Sequence, residues 1–310
     1  MIKGIHHVAL AVTDLRAAER FYCAAAALAP VAQELPLALP EGITASVMLG
    51  GANCALRLLA TPLEPPLARP VCDAGITHFC LQGVAPAHLT ARFGEAGASF
   101  HSELVDLGTG YLYCYSRDPE GNVIEIEGVA PVWEDQAPWF AHVSLSTAQL
   151  RPMTDFYAAV LGTEAARSPR MGNSRRMDKL AALSNVDMKM AWIPGANIQV
   201  ELVQYFTPET VSRNGIGPAP GPGYRYIALE VDDVAAELAR LQSLGASVPA
   251  ELAAHNSDTR AFCADPDGNL LLLLSLSAAQ AMHAIDALPD PSIVARLNAL
   301  GERAKKKENK

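Results

Sequence analysis

Two stretches of this chain repeat each other in an almost constant register, and this repetition limits the possible folds more than any other feature of the sequence. Each stretch contains an opening glycine, a Gly-Ala-Ser segment and an Asp-Pro-Xaa-Gly-Asn segment, at Gly75, 97–100 and 118–122 in the first and at Gly223, 245–248 and 265–269 in the second. The offsets between these three pairs are 148, 148 and 147 residues. A register this constant indicates an internal duplication.

A second motif repeats at an offset of 135 residues. A His-Val-Xaa-Leu strand precedes a helix that carries Phe-Tyr, at His7 and Phe21-Tyr22 and again at His142 and Phe156-Tyr157. The two repeats together predict four units in the order A-B-A-B, at about 4–62, 75–128, 139–205 and 223–275. We expect these units to form two halves, 1–130 and 139–277, followed by a C-terminal helix and a basic tail over 278–310.

Local patterns predict the elements of one unit. The segment from Ile5 to Val12 is rich in Val, Ile and Leu and predicts a strand. Asp14 is a suitable N-cap for a helix that continues to about Ala27. The Asp-Pro-Xaa-Gly-Asn segments predict tight turns, because proline fixes φ while glycine and asparagine accept left-handed backbone. A strand over 123–127 then leaves the first of these turns.

Composition restricts the class of protein. The chain has 310 residues, enough for two ordinary domains, and its formal net charge of −9 disfavours binding to nucleic acid. The start lacks a signal-peptide pattern, and the longest apolar run, over 270–274, is far too short to cross a bilayer. The six cysteines include no Cys-Xaa-Xaa-Cys pair, which is typical of reduced thiols. We therefore expect a cytoplasmic monomer or homodimer that acts on a small molecule, without membrane or nucleic-acid partners.

The opening His-Val-Ala-Leu-Ala-Val-Thr-Asp-Leu, the helical Phe-Tyr pairs and the two Asp-Pro-Xaa-Gly-Asn turns resemble the vicinal oxygen chelate superfamily. This group contains glyoxalase I, methylmalonyl-CoA epimerase, bleomycin- and fosfomycin-resistance proteins and extradiol dioxygenases. The resemblance covers roughly residues 4–275 and implies an α+β fold of four βαβββ modules that form two half-open curved β-sheet barrels. It also implies a divalent metal ion, held by residues of the first and last strand of each module.

Carrying the family's ligand positions onto this chain gives two residues in each unit: His7 and Arg57, His78 and Glu125, His142 and Glu201, and Tyr226 and Leu272. Five of these eight, His7, His78, Glu125, His142 and Glu201, are normal metal ligands. Imidazole and carboxylate suit Fe, Mn, Ni, Co or Zn, and the sequence does not choose between these metals. Arg57, Tyr226 and Leu272 depart from the family pattern.

Each candidate also has a purely structural interpretation. A histidine in an apolar strand is more often a hydrogen-bonded core residue than a ligand. The glutamates are harder to explain in this way, because Glu125 lies in Val-Ile-Glu-Ile and Glu201 in Gln-Val-Glu-Leu-Val. A carboxylate that faces a barrel interior needs a cation or partner to offset the cost of its desolvation.

The pairing of units decides which metal site is complete. If units pair within each half, His7, His78 and Glu125 form a 2-His-1-carboxylate triad. If the second unit pairs with the third and the first with the fourth, then His78 and Glu125 join His142 and Glu201. We favour the second scheme, because pairing within halves would leave the carboxylate of Glu201 with His142 alone.

The resemblance leaves three functions open. The first is glyoxalase-like or epimerase-like chemistry, a lyase or isomerase in which a metal stabilises an enediolate and Glu201 or Glu125 removes the proton. The second is iron-dependent ring cleavage. Tyr115 to Glu125 matches the extradiol signature, but the upstream histidine is missing and His101 lies 14 residues before Tyr115. The third is a metal-free binding or resistance protein.

An insertion over 163–190 is polar and rich in arginine. A solvated loop is its simplest interpretation. The functional alternative is a clamp for an anionic substrate, made by arginine and lysine side chains at Arg167, Arg170, Arg175, Arg176 and Lys179.

Overall fold

Two β-sheets, of seven and ten strands, organise the protein. The computed structural model describes residues 1–32, 35, 42–64, 68–129, 137–212, 217, 221–253 and 255–299. The predicted fold class is confirmed: the chain is a mixed α+β protein in which four strand–helix–strand units build two curved sheets.

The first and second units begin with long strands whose alternate residues are apolar on one face. In the first unit, the side chain of Asp14 accepts a hydrogen bond from the backbone N of Ala17 and begins the first helix, as predicted. The first unit comprises β1 (Ile2–Val12), α1 (Leu15–Ala26), β2 (Ala29–Pro30), β3 (Ala45–Gly50) and β4 (Ala55–Ala60). The second comprises β5 (Gly75–Gly83), α2 (Pro86–Glu95), β6 (Ser99–Phe100), β7 (Val105–Asp106), β8 (Leu112–Arg117) and β9 (Val123–Gly128).

The third and fourth units repeat this plan, but each carries an additional short helix. The third unit comprises β10 (Trp139–Ser146), α3 (Leu150–Leu161), β11 (Ala166–Arg167), β12 (Met171–Gly172), α4 (Arg175–Ala181), β13 (Asp187–Pro194) and β14 (Gln199–Thr207). The fourth comprises β15 (Gly223–Val231), α5 (Val234–Ser243), α6 (Ala250–Ala253), β16 (Arg260–Ala264) and β17 (Leu270–Leu274).

The sheets pair units from different halves of the chain. The order of the seven-stranded sheet is β16-β17-β15-β1-β4-β3-β2, and that of the ten-stranded sheet is β11-β13-β14-β10-β5-β9-β8-β6, with β12 on β13 and β7 on β8. The central pairs, β1 with β15 and β5 with β10, are antiparallel. The first unit thus pairs with the fourth and the second with the third, which confirms the pairing that the cost of an isolated Glu201 carboxylate predicts.

Strand alternation gives each sheet two different faces. One large hydrophobic core joins one face of both sheets to the helices; it includes Leu10, Phe79, Phe93, Phe156 and Leu241. The opposite face of each sheet, here called its inner face, carries the residues between these apolar positions. His7 and Ala9 lie on the inner face of the seven-stranded sheet, whereas the candidate histidines and carboxylates of the second and third units lie on that of the ten-stranded sheet.

The Asp-Pro-Xaa-Gly-Asn turns connect units within each half. The carboxylate of Asp118 accepts hydrogen bonds from the backbone N of Glu120 and Asn122 and from the hydroxyl of Tyr22, at 3.0, 2.8 and 2.8 Å. Gly121 has a φ of 89°, which explains the glycine at this position of the turn. Asp265 repeats the arrangement with the Tyr157 hydroxyl, also at 2.8 Å. The two repeated motifs therefore contact each other: the tyrosine of each Phe-Tyr pair, on α1 or α3, binds the turn of the following unit.

The C-terminal segment differs from the expected continuous helix. It forms two short 3₁₀ helices, Ala278–His283 and Ile285–Ala287, and a helical turn over 293–299. Ala284 and Leu288 have extended backbone, with ψ of 152°, and Leu288 precedes a proline, which disfavours helix. The basic tail and most of the linker between the halves lie outside the described residues. None of the helices in the described ranges is long and apolar enough to span a bilayer.

Candidate metal centre

Strand register brings four candidate residues onto two adjacent rows of the inner face of the ten-stranded sheet. In the first row, His78 of β5 is opposite Ser144 of β10, which is opposite Glu201 of β14. In the second row, Glu125 of β9 is opposite Cys80, which is opposite His142. Because alternate residues of a strand share a face, the side chains of both rows point to the same side.

The four side chains converge closely. The Nε2 atoms of His142 and His78 lie 2.9 and 3.3 Å from Oε2 of Glu125, and 3.5 and 3.8 Å from Oε2 of Glu201. One ligand atom from each residue lies within 4.8 Å of all the others. All four residues are buried, with at most 5% of their surface exposed. Two imidazoles and two carboxylates thus surround one point of the protein interior.

Neighbouring side chains fix the orientation of Glu201 and His78. Both oxygens of Glu201 accept hydrogen bonds, Oε2 from the Ser144 hydroxyl at 2.7 Å and Oε1 from the indole N–H of Trp192 at 2.8 Å. Oγ1 of Thr77 lies 3.0 Å from Nδ1 of His78 and donates to the carbonyl of Ser144 at 3.3 Å. Since that hydroxyl hydrogen is used, Nδ1 of His78 is the donor to Thr77, and Nε2 presents a lone pair to the cluster.

The remaining atoms of the cluster lack satisfactory hydrogen bonds. Among the described residues, Nε2 of His78, Nε2 of His142 and Oε2 of Glu125 are buried and make no hydrogen bond of acceptable geometry. Buried polar atoms without partners cost free energy, and three of them aimed at one point are unusual in a folded protein. A divalent cation fits this arrangement, because it would accept lone pairs from all four side chains at once.

Burial and neighbouring charges shift the pKa values of the cluster in opposite directions. Burial acts to raise the pKa of Glu125, but the adjacent imidazoles of His142 and His78 outweigh burial and lower that pKa. Burial acts to lower the pKa of His142, but the carboxylates of Glu201 and Glu125 outweigh it and raise that pKa. These opposed shifts favour a protonated His142 beside an ionised Glu125 in the metal-free protein.

His7, the fifth candidate, lies in the other sheet. Its Nδ1 is 2.8 Å from Nδ1 of His6, and its Nε2 is 3.4 Å from the hydroxyl of Tyr226. Arg57 donates to the same hydroxyl at 2.9 Å. The triad of His7, His78 and Glu125 is therefore not assembled, because β1 pairs with β15 rather than with β5. The positions that depart from the family pattern lie together on the seven-stranded sheet, with His7.

A short helix that the sequence did not predict closes the inner face. α4 lies within the basic insertion, and Leu180 and Ala181 at its end join a cluster with Tyr115, Met188 and Tyr205. Partly buried methionines at positions 171, 177 and 190 extend this cluster. The apolar residues of α4 are separated by arginine, aspartate and lysine, so the insertion has the composition of a loop. Its Ser174 N-cap, whose side chain accepts from Met177 N, was the available signal for a helix.

Three of the four arginines of the insertion make local contacts. Arg170 pairs with Asp187 and Arg167 with Asp155, at exposed positions. Arg176 donates to the backbone carbonyl of Asp106 at 2.8 Å and ties α4 to β7. These contacts favour a structural role for the insertion over an anion clamp.

His101 lies nearer to the cluster than its sequence position indicates. Its backbone N donates to the carbonyl of Tyr115 at 2.8 Å, which extends the β6–β8 ladder by one residue. The ring of His101 is 6.0 Å from that of Tyr115, which in turn is 5.0 Å from that of His78. Nδ1 of His101 donates to the carbonyl of Leu180 in α4 at 3.3 Å. These contacts place His101 at the edge of the inner face.

Comparison with known families agrees with this geometry. The sequence matches the Glyoxalase/Bleomycin resistance protein/Dioxygenase superfamily twice, over residues 4–126 and 139–273. The chain belongs to this superfamily. Both matches span a pair of consecutive units, as the A-B-A-B repeat requires. No curated protein sequence matches the chain significantly.

Solved structures of the superfamily share the fold at low sequence identity. Glyoxalase I from Zea mays superimposes with a TM-score of 0.60 at 17% identity, over 92% of this chain and 96% of the maize chain. A putative dioxygenase from Bacillus subtilis superimposes with a TM-score of 0.59 at 14% identity, over 93% of this chain and 90% of that chain. At these identities the likeness extends to the fold, which hosts more than one chemistry, so the reaction must be argued from the site itself.

Proposed function

We propose that this protein is a metal-dependent lyase or isomerase of the glyoxalase type, acting on a small substrate with a carbonyl group or two vicinal oxygens. The observation that supports this proposal is the cluster of two imidazoles and two carboxylates whose buried ligand atoms lie within 4.8 Å of one another. A binding protein without a metal would have little reason to keep three buried polar atoms without hydrogen bonds in one place.

His78, Glu125, His142 and Glu201 would hold the ion. When bound, a divalent cation would supply Lewis acidity toward the oxygens of the substrate. Imidazole and carboxylate ligands are compatible with Mn, Fe, Co, Ni and Zn.

The two carboxylates differ in freedom. Glu201 is fixed by Ser144 and Trp192 through both of its oxygens, whereas Oε2 of Glu125 makes no hydrogen bond among the described residues. A carboxylate that removes a proton must reach the substrate, so the less constrained one is better suited to the task. We therefore assign Glu125 as the proton acceptor and Glu201 as a fixed anchor of the site.

The environment supports proton transfer next to a carbonyl. The apolar cluster of α4, β8, β13 and β14 keeps water from the inner face, since its members Leu180, Val203 and Tyr205 are at most 3% exposed. Low polarity around the cluster strengthens the interaction between a developing negative charge and nearby positive charge. The same environment would protect a reactive intermediate from hydrolysis.

Metal analysis and isotope exchange test this function together. Protein loaded with Mn²⁺ should contain about one ion per chain, and His78→Ala should lose most of it, because an imidazole ligand is removed. In D₂O, the loaded protein should catalyse exchange of the C–H next to the carbonyl of thiol adducts of α-ketoaldehydes. Glu125→Gln should abolish exchange while it retains more metal than His78→Ala.

Ring cleavage is the second candidate, supported by the match of Tyr115 to Glu125 with the extradiol signature. A four-residue cluster argues against it, because dioxygenases of this kind use three protein ligands and keep positions open for substrate and oxygen. Oxygen uptake with catechols, under conditions in which C–H exchange is absent, would reverse the order of the two proposals. A protein that binds small ligands but no metal would overturn both.

A further inference from the structure

The inner face carries a second group of side chains that could hold a metal ion, and this group shares His142 with the first. Sγ of Cys80, a carboxylate oxygen of Glu127 and a ring nitrogen of His142 all lie within 4.8 Å of one another. Cys80 is a free, fully buried thiol that lies between Glu125 and His142 in the ladder. Glu127 lies two residues beyond Glu125 on the same face of β9.

We propose that Cys80, Glu127 and His142 form a second cation position, selective for a thiophilic divalent ion such as Zn²⁺, with the thiolate of Cys80 as a ligand. The inference rests on the proposed function in one respect, because His142 belongs to both positions. Nε2 of His142 is buried and has no hydrogen bond among the described residues, so it is available to either.

Hydrogen bonds from neighbouring side chains fix the position of the Glu127 carboxylate. Its Oε2 accepts a hydrogen bond from the side-chain amide of Gln82, whose Oε1 accepts from the indole N–H of Trp139 at 3.0 Å. Trp192 does the same directly for Glu201. Glu201 is therefore supported by an indole directly, and Glu127 is supported by an indole through Gln82. Outer hydrogen-bond partners of this kind orient ligands in metal sites.

The two cation positions differ in the softness of their ligands and therefore in the metal that they prefer. Thiolate favours Zn²⁺ over Mn²⁺, whereas carboxylate and imidazole accept both. Sγ of Cys80 lies 3.7 Å from Oε2 of Glu127, and on binding the thiol would release its proton to solvent as the S–metal bond forms. Because both positions use His142, we expect only one of them to be filled at a time. The stoichiometry is therefore one ion per chain, and its place depends on its softness.

X-ray absorption of the metal-loaded full-length protein tests this directly. With one equivalent of Zn²⁺, we expect a sulfur neighbour about 2.3 Å from the ion. Cys80→Ser should remove that neighbour, and Cys72→Ser, which changes a buried free thiol elsewhere on the same face, should retain it. With Mn²⁺, only nitrogen and oxygen neighbours should be found in every variant.

Binding affinities give a second readout that does not depend on enzymatic activity. Glu127→Gln should weaken Zn²⁺ binding at least about tenfold and leave Mn²⁺ binding almost unchanged, and Glu201→Gln should do the reverse. Zinc bound only by nitrogen and oxygen, equally tightly in Cys80→Ser and lost in His78→Ala, would overturn this inference and leave the proposed function intact. A chain that binds neither ion would overturn both.

Discussion

At the scale of single residues, the hydrogen bonds that hold Glu201 make its role testable without a substrate. Removing the indole N–H by Trp192→Phe leaves Oε1 of Glu201 without its donor at 2.8 Å. Because outer partners orient ligands, we expect Mn²⁺ affinity to fall about 10–100-fold. Calorimetric titration measures the change. Trp139→Phe is the matched control, since its indole acts through Gln82 on Glu127, and it should change Mn²⁺ affinity little.

A buried histidine outside the site predicts a dependence of stability on pH. Burial lowers the pKa of His6 to about 4, below its usual value of 6.5, so the folded protein binds the proton more weakly than the unfolded chain. The contribution of neutral His6 to stability is complete above pH 6.5 and is lost as the pH falls toward 4, at up to about 1.4 kcal/mol per pH unit.

Denaturant unfolding of metal-free protein at pH 7 and pH 4.5 checks this. His6→Gln should lose less stability over that interval than the unchanged chain, because glutamine forms hydrogen bonds without titrating. Parallel pH profiles for the two proteins would refute the assignment.

The four clustered residues were predicted from the ligand positions that the family resemblance implies, and a physical argument favoured placing them in one site. The carboxylates of Glu125 and Glu201 lie in apolar strands, and the cost of burying them unpartnered predicted that they share a site. Cys80 and Glu127 were not predicted, since their proximity to His142 depends on the register of β5 against β10. A short sequence pattern does not specify that register.

At the scale of elements, the duplicated helices provide an experiment with its own internal control. Ala27 directly follows α1 and Gly162 directly follows α3, and both residues have left-handed backbone, with φ of 54° and 67°. Alanine is strained in this region and glycine is not. Ala27 is exposed and a Cβ at position 162 would meet nothing within 4 Å, so packing does not enter.

We therefore expect Ala27→Gly to stabilise the protein by about 0.5–1 kcal/mol and Gly162→Ala to destabilise it by about 1 kcal/mol. Thermal unfolding of the two variants measures both changes. Shifts of the same sign would show that contacts, rather than backbone conformation, dominate at these positions.

Local sequence pattern did not predict helix α4. Three of its seven residues are arginine or lysine, and only its end is fully buried, against strands that are distant in the chain. A helix stabilised mainly by tertiary packing carries a weak local signal. The composition of the insertion predicted a solvated loop, and the structure instead places α4 over the inner face.

At the scale of the whole molecule, each sheet is completed only by joining the halves. β1 and β5 belong to the first half, and their central partners β15 and β10 belong to the second. Residues 1–129 and 137–310, produced separately, should therefore fail to fold as monomers, because each would expose unpaired central strands. Mixed during refolding, they should associate and bind one metal ion per pair, since each contributes one imidazole and one carboxylate.

Size-exclusion chromatography combined with metal analysis would measure this outcome. A cooperatively folded, monomeric half would contradict it. The prediction of the overall fold from sequence succeeded at this scale because the repeat register contains many residues, so that no single departure, such as Arg57, could obscure it.

The pairing of the first unit with the fourth and of the second with the third also affects how the sequence of such a chain can evolve. In a symmetric dimer of identical halves, every substitution would appear on both inner faces at once. In this chain the two faces are encoded by different residues. One could acquire Arg57, Tyr226 and Leu272 and become a hydrogen-bonded scaffold, while the other kept two imidazoles and two carboxylates. Because both halves belong to one polypeptide, a substitution on one inner face need not appear on the other. In a symmetric dimer the two faces would have to stay identical.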